Sequence, residues 1–190
     1  MALRLVILGR QGSGKGTQCA RLVAHYGCVH VSTGDMLRAA REEGTELGRT
    51  AGEMMDRGDL VPDDVMIGIV GERLAKDDIV AHGVLLDGFP RTPDQADALE
   101  DILEDQDATL DLAINLDVPI DEVKARMLAR GREDDTPEAI DRRLSLYEEQ
   151  TEPLIDWFEG HGLLEVVNGL GSEDEVFARV QATVDDRLDT

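Results

Sequence analysis

Along the 190 residues, short apolar runs alternate with longer amphipathic stretches. The runs at 3–9 (LRLVILG), 28–32 (CVHVS), 84–87 (VLLD), 110–118 (LDLAINLDV) and 163–169 (LLEVVNG) predict five strands. A helical pattern follows each run, and such alternation builds a parallel sheet covered by helices on both faces, an α/β fold. Two helix starts are marked in the sequence. Thr92-Pro93 and Thr136-Pro137 each set a capping hydroxyl before a proline at the first helical position. No repeat, linker or low-complexity tract divides the chain, so residues 1–190 are expected to form one domain. Two segments stand out as candidate moving parts: a helical stretch from about Gly34 to Val61, inserted between strands two and three, and an arginine-rich turn near Arg130.

The first strand leads into LGRQGSGKGT. Gly9 to Gly14 form a glycine-rich turn and Lys15 opens the following helix, the context that a phosphate-binding loop requires. Backbone N–H groups of such a loop wrap phosphates, the helix N-terminus adds positive potential, and the lysine reaches the outer phosphates. One part departs from the pattern G-x-x-x-x-G-K-[ST]. Gly16 stands where a hydroxyl usually meets Mg²⁺.

Further polar clusters follow the other strands. Asp87 ends the third apolar run, where an acid in nucleoside-triphosphate enzymes contacts Mg²⁺ or its waters; alone, Asp87-Gly88 reads rather as a turn-forming pair. Thr92 and Gln95 have the spacing of a capping box. Apart from Asp94, three residues on, Arg91 has no acid at a helical spacing that needs it. Glu122 and Glu138 sit four residues before Arg126 and Arg142, which reads as a pair of helix-surface ion pairs. Arg143 has no acid three or four positions away and needs another partner. Arg130 and Arg132 straddle Gly131 at a helix end, where cations complement the dipole, and Arg38 can pair with Asp35 or Glu42.

Charge sharpens this picture. With 41 acidic against 19 basic residues and a net charge of −22, the chain repels nucleic acid and anionic membranes, so any phosphate ligand needs cations gathered locally. Only three lysines occur, and one is Lys15. No apolar run approaches the roughly 20 residues that cross a bilayer, and Met1 runs into the first strand without a leader, so a cytoplasmic protein is expected. Cys19 and Cys28 lack metal-ligand or disulfide spacing and are expected to be packed thiols, with no zinc.

Taken in order, GRQGSGKGTQ, VSTGDMLR, RGDLVPDD, LLDGFPRT with Gln95, and ARGREDD with Arg143 resemble the adenylate kinases of short-lid type over nearly the whole chain. The resemblance implies a P-loop NTPase-type three-layer fold, with an AMP-binding insertion at 32–61 and a short lid at 129–135. It implies reversible, Mg²⁺-dependent phosphoryl transfer from ATP to AMP by a monomer. Gly12, Ser13, Gly14, Lys15, Gly16 and Thr17 would hold ATP phosphates, joined by Arg130, and Gly171 would meet the ATP adenine. Thr33, Arg38, Asp59, Leu60, Val61, Gly88, Phe89, Pro90, Arg91 and Gln95 match AMP contacts, while Arg132 and Arg143 would bridge toward AMP. Lys15, Arg91, Arg130, Arg132 and Arg143 would be the catalytic cations, and Asp87 would orient Mg²⁺ through water. The family usually carries proline at the position of Gln11, after a small or apolar residue or another proline where Arg10 stands. Uridylate or cytidylate kinases share most of these residues, but Thr33 and TPDQ favour adenine. A P-loop binding protein without transfer activity would leave Arg38, Arg91, Arg132 and Arg143 without a shared purpose.

Overall fold

The computed structural model describes residues 2–44, 46–57, 59, 61–132 and 135–189. Within them, β1 (Leu3–Leu8), β2 (Val29–Ser32), β3 (Gly83–Asp87), β4 (Leu112–Asp117) and β5 (Leu164–Asn168) form one parallel sheet in the order β2-β3-β1-β4-β5. The expected strands are therefore present, each within a few residues of its apolar run. Every strand ends at the same edge, with Ile7 of β1 opposite Asp87 of β3 and Asp87 opposite Ser32 of β2.

Alternation along the strands divides the core. Val6, Leu8, Val84 and Leu86 face a layer that includes α4 (Asp63–Leu74), α6 (Pro93–Glu104) and α9 (Glu152–Gly160). Leu5, Ile7, Leu85 and Ile114 face α1 (Lys15–Tyr26) and α10 (Glu173–Leu188). Both faces of the central strands are dry, as continuous apolar runs require. Removing such a side chain, for example Leu86→Ala, costs about 2–5 kcal/mol because the packed layers cannot close the void.

Further helices connect the strands. Between β2 and β3 run α2 (Thr33–Glu42), α3 (Glu46–Arg57), α4 and α5 (Asp77–His82). After β4 come α7 (Ile120–Arg130) and α8 (Pro137–Leu146), which share a small cluster of Val123, Met127, Ile140 and Leu144. A π-helical turn at Tyr147–Thr151 joins α8 to α9. Thr92 and Thr136 cap α6 and α8, accepting the N–H of Gln95 at 3.3 Å and of Ala139 at 3.2 Å.

Candidate active site

The β1–α1 turn supplies one wall of a cleft of about 720 Å³ at the strand ends. Gly12 holds φ +85°, and a Cβ there would lie 2.7 Å from the Val123 carbonyl oxygen, so only glycine lets the loop pass this close to α7. The Ser13 N–H donates to the Arg10 carbonyl at 3.1 Å, which tightens the turn. The first turn of α1 carries no acid, and its N-terminal potential is left for an anion. Lys15 folds over the loop and donates to the carbonyls of Gly9 at 2.7 Å and Arg10 at 3.2 Å. Burial lowers the pKa of its ammonium, against the opposing pull of Asp87. Gly14, Gly16 and Thr17 line the cleft beside it, and Ser13 is buried beneath.

The β3–α6 turn supplies the floor. Phe89 and Pro90 are joined by a cis peptide, and Phe89 is buried in the core. Gly88 has φ +85°, and a Cβ there would meet Thr33 Oγ1 at 2.7 Å; the Thr33 hydroxyl donates to the Asp87 carbonyl at 3.4 Å. Arg91 Nε donates to the Gly88 carbonyl at 2.8 Å, which aims the guanidinium along the cleft. Asp94, its nearest acid in helical spacing, is not its bonding partner in this arrangement. The Gln95 side chain departs from a capping box. Its Oε1 accepts the N–H of Arg91 at 2.8 Å, one residue before the cap, and its Nε2 donates to Asp63 at 2.6 Å. Asp63 also accepts the Thr92 hydroxyl at 2.8 Å, so this carboxylate on α4 organises the whole turn.

The third wall comes from α7, α8 and the segment between them. Asp135, whose side chain is fully buried, accepts two bonds from Arg130 (2.9 and 2.8 Å), one from Arg143 at 3.3 Å, and the Arg132 N–H at 3.2 Å. This is the partner that Arg143 lacked at helical spacing. Burial would raise the Asp135 carboxyl's pKa, but the Arg130 bonds and charge outweigh it and hold it below the usual range.

Cations therefore converge. Lys15, Arg38, Arg91, Arg126, Arg130, Arg132 and Arg143 all line the cleft, against the carboxylates of Asp35 and Asp87, in a chain whose net charge is −22. Arg38 pairs with Asp35, one of the two alternatives open from spacing. Arg126 pairs with Glu122 at 2.7 Å as spacing predicts, but its other arm donates to the Ser13 carbonyl at 3.3 Å, a site contact that helical spacing could not reveal. Arg142 does not bond Glu138; it crosses to Asp59, which also pairs with Arg57 at 3.0 Å. Val61 is buried in the core, Thr33 and Gln95 are buried, and Gly171 sits in the β5–α10 turn with φ +117°; none of them lines the cleft. Leu60 lies outside the described residues. At the unusual Arg10-Gln11 pair, Arg10 packs over the Tyr147 ring at 5.3 Å and approaches Glu152 at 3.7 Å, so the loop is tied to the π-helical turn by a side chain where proline is usual one residue on.

The arrangement can hold two polyanionic groups end to end, one on the glycine loop and Lys15, the other on Arg38, Arg91 and Arg143. Magnesium also fits. Asp87 borders the cleft with its carboxyl held below the ordinary range, since Lys15, His30 and Arg91 outweigh the effect of burial. A Cβ on Gly16 would meet nothing within 4 Å, which leaves room for the water shell that Mg²⁺ retains.

The sequence is similar to those of known proteins. The family model described as adenylate kinase matches residues 7–163. An adenylate kinase of Nocardia farcinica is 50% identical over 177 residues, covering 93% of this chain and 96% of that protein. One of Leptospira biflexa is 48% identical over 177 residues (91% and 95%), and one of Thermodesulfovibrio yellowstonii is 44% identical over 214 residues (96% and 99%).

Proposed function

The chain belongs to the adenylate kinase family and is a phosphotransferase, and from this we propose that its cleft carries out reversible, Mg²⁺-dependent transfer of the γ-phosphoryl group from ATP to AMP, giving two ADP. The observation that carries the reading is the convergence of Lys15 and six arginines on one cleft in an otherwise acidic molecule.

The donor lies on Gly12 to Thr17. Lys15 leaves the Gly9 and Arg10 carbonyls and follows the transferred group, while Arg126 and Arg130 approach from α7. Gly171 meets the adenine of ATP through its backbone. The acceptor lies between α2 and the β3–α6 turn, with residues 32–61 as the AMP-binding insertion. Arg38 and Arg91 fork onto the AMP phosphate, Arg132 and Arg143 bridge the two phosphates, and Gln95, whose amide also holds the Arg91 N–H and Asp63, meets the adenine edge. Thr33, Asp59, Leu60, Val61, Gly88, Phe89 and Pro90 complete that pocket.

Transfer of this kind needs two anionic groups in line with their repulsion cancelled, and little covalent help. Arginines suit the task because a planar guanidinium binds two oxygens at once and stays charged. Asp87 would hold Mg²⁺ through its waters, the ion would supply charge neutralisation for the donor phosphates, and no side-chain hydroxyl would be needed at Gly16. Closure of a short lid at 129–135, of which 133–134 lie outside the described residues, loosens the hold of Asp135 on Arg130 and Arg143, turns them toward phosphate, and excludes the water that would otherwise hydrolyse ATP.

The enzyme acts as a cytoplasmic monomer with no nucleic-acid or membrane partner. Its acidity, which repels nucleic acid and anionic membranes, supports the lack of such partners. A coupled assay pairing ATP with AMP, CMP, UMP or GMP tests the reading. AMP is expected to be strongly preferred. Comparable rates with CMP or UMP overturn the adenine assignment, and ATP hydrolysis independent of acceptor overturns transfer.

A further inference from the structure

Three metal-binding donors meet at the cleft floor from positions that no sequence spacing joins. Cys19 comes from α1, His30 from β2 and Asp87 from the end of β3. One donor atom of each lies within 4.8 Å of the other two, and His30 Nε2 stands 3.8 Å from Asp87 Oδ2. That His30 nitrogen is buried and feels the Asp87 charge without closing a hydrogen bond to it, which leaves a nitrogen whose lone pair a metal can take up. Cys19 is a free and fully buried thiol. His30 and Asp87 both border the cleft, so an ion can enter from that side.

The donor set is sulfur, nitrogen and oxygen, each on a rigid element of the sheet or the helix against it. Mg²⁺ takes oxygen ligands, whereas thiolate with imidazole and carboxylate suits zinc-like ions, which bind three protein ligands and keep a fourth position open. The Asp87 carboxylate and a Cys19 thiolate supply two negative charges. Lys15 and Arg91, which both act on Asp87, oppose them, but Lys15 is turned onto the loop carbonyls.

We propose that Cys19, His30 and Asp87 form a binding site for one soft divalent cation of the zinc, cobalt or cadmium class, and that its occupation inhibits phosphoryl transfer by withdrawing Asp87 from the magnesium waters. Binding forms an Sγ–metal bond as the Sγ–H bond breaks, and the proton leaves to solvent. The inhibitory half rests on the role proposed for Asp87; the binding half does not.

Titration of Co²⁺ alone into reduced, nucleotide-free protein tests the site by absorption. One equivalent is expected to give a thiolate-to-cobalt charge-transfer band together with four-coordinate d–d bands, neither displaced by excess Mg²⁺. Cys19→Ser removes the charge-transfer band. Loss of a single supporting group near a metal weakens binding about 10–100-fold, so Cys19→Ser and His30→Gln should each weaken it at least about tenfold, whereas Cys28→Ser leaves it intact. Thermal melting of each variant confirms folding, and His30→Gln keeps a polar amide at a part-exposed position should Cys19→Ser fail to fold. Absence of the band, or equal affinity in His30→Gln, overturns the site. Protein preloaded with one equivalent of Cd²⁺ and assayed in saturating Mg²⁺ is expected to lose turnover, and Cys19→Ser treated alike is not. Stoichiometric Cd²⁺ binding with full turnover overturns the inhibitory half while leaving the phosphotransferase reading standing.

Discussion

Truncation of Asp63 tests how the acceptor wall is positioned. Its carboxylate accepts Gln95 Nε2 at 2.6 Å and the Thr92 hydroxyl at 2.8 Å, and Gln95 in turn holds the Arg91 N–H at 2.8 Å. Hydrogen bonds to a charged group contribute about 1.5–3 kcal/mol each, and the two here share one acceptor group, so their losses will not add fully. Asp63→Ala also leaves the buried Gln95 amide unsatisfied and removes an acid from the first turn of α4. The expected loss is roughly 3 kcal/mol, which at a urea slope of about 2 kcal/mol/M lowers the unfolding midpoint by about 1.5 M. Asp63→Asn keeps one acceptor but turns its NH₂ toward a donor, and should lose about half as much. Kinetics should separate position from stability. With the Arg91 turn loosened, KM for AMP is expected to rise roughly tenfold, about 1.4 kcal/mol, while KM for ATP stays within about twofold because the glycine loop bonds none of these groups. A midpoint shift under about 0.3 M, or equal increases in both KM values, would refute the reasoning.

Three further outcomes are expected. Arg91→Ala should lower kcat/KM at least about a hundredfold, roughly 2.7 kcal/mol of transition-state stabilisation, whereas Arg142→Ala, whose pair with Asp59 is exposed, should change it less than about twofold; equal losses would contradict the division of arginines into site and surface. Asp87→Asn should raise the Mg²⁺ concentration for half-maximal rate and leave metal-free AMP affinity nearly unchanged, while Gly16→Ser should not improve Mg²⁺ use; an unaltered Mg²⁺ titration for Asp87→Asn speaks against the water-mediated role. Because the Asp135 carboxyl is held below its ordinary value of 3.8, its stabilisation is fully present above that pH and fades as pH falls through the lower folded value. The melting difference between wild type and Asp135→Asn should therefore be largest near neutrality and narrow in acid, and a difference independent of pH would show that the ion cluster does not stabilise the fold.

Much of this molecule is determined by local pattern. Apolar runs at Leu3–Leu8 and Gly83–Asp87 read as strands buried on both faces, and Thr92-Pro93 and Thr136-Pro137 mark helix starts, as the structure bears out. The glycine loop was legible because each of its parts serves one short backbone path, and the arginines because an acidic chain gathers cations only for a reason.

Partnerships were not legible in the same way. Helical spacing assigns Arg142 to Glu138, but the fold sets it against Asp59, 83 residues away, and gives Arg143 the buried Asp135 beyond the reach of the three- or four-residue rule. Gln95 has capping spacing, yet Asp63 on another helix turns its amide away from the cap. Cys19, His30 and Asp87 carry no shared motif and meet only because β3 lies between β2 and β1, with α1 packed across them. Periodicity reports which face of an element is buried, since water acts on each residue separately. Which side chains then meet is decided by strand order and helix placement, because a hydrogen bond needs its two atoms within about 3 Å, and only the packed sheet sets distances between residues so far apart in the chain.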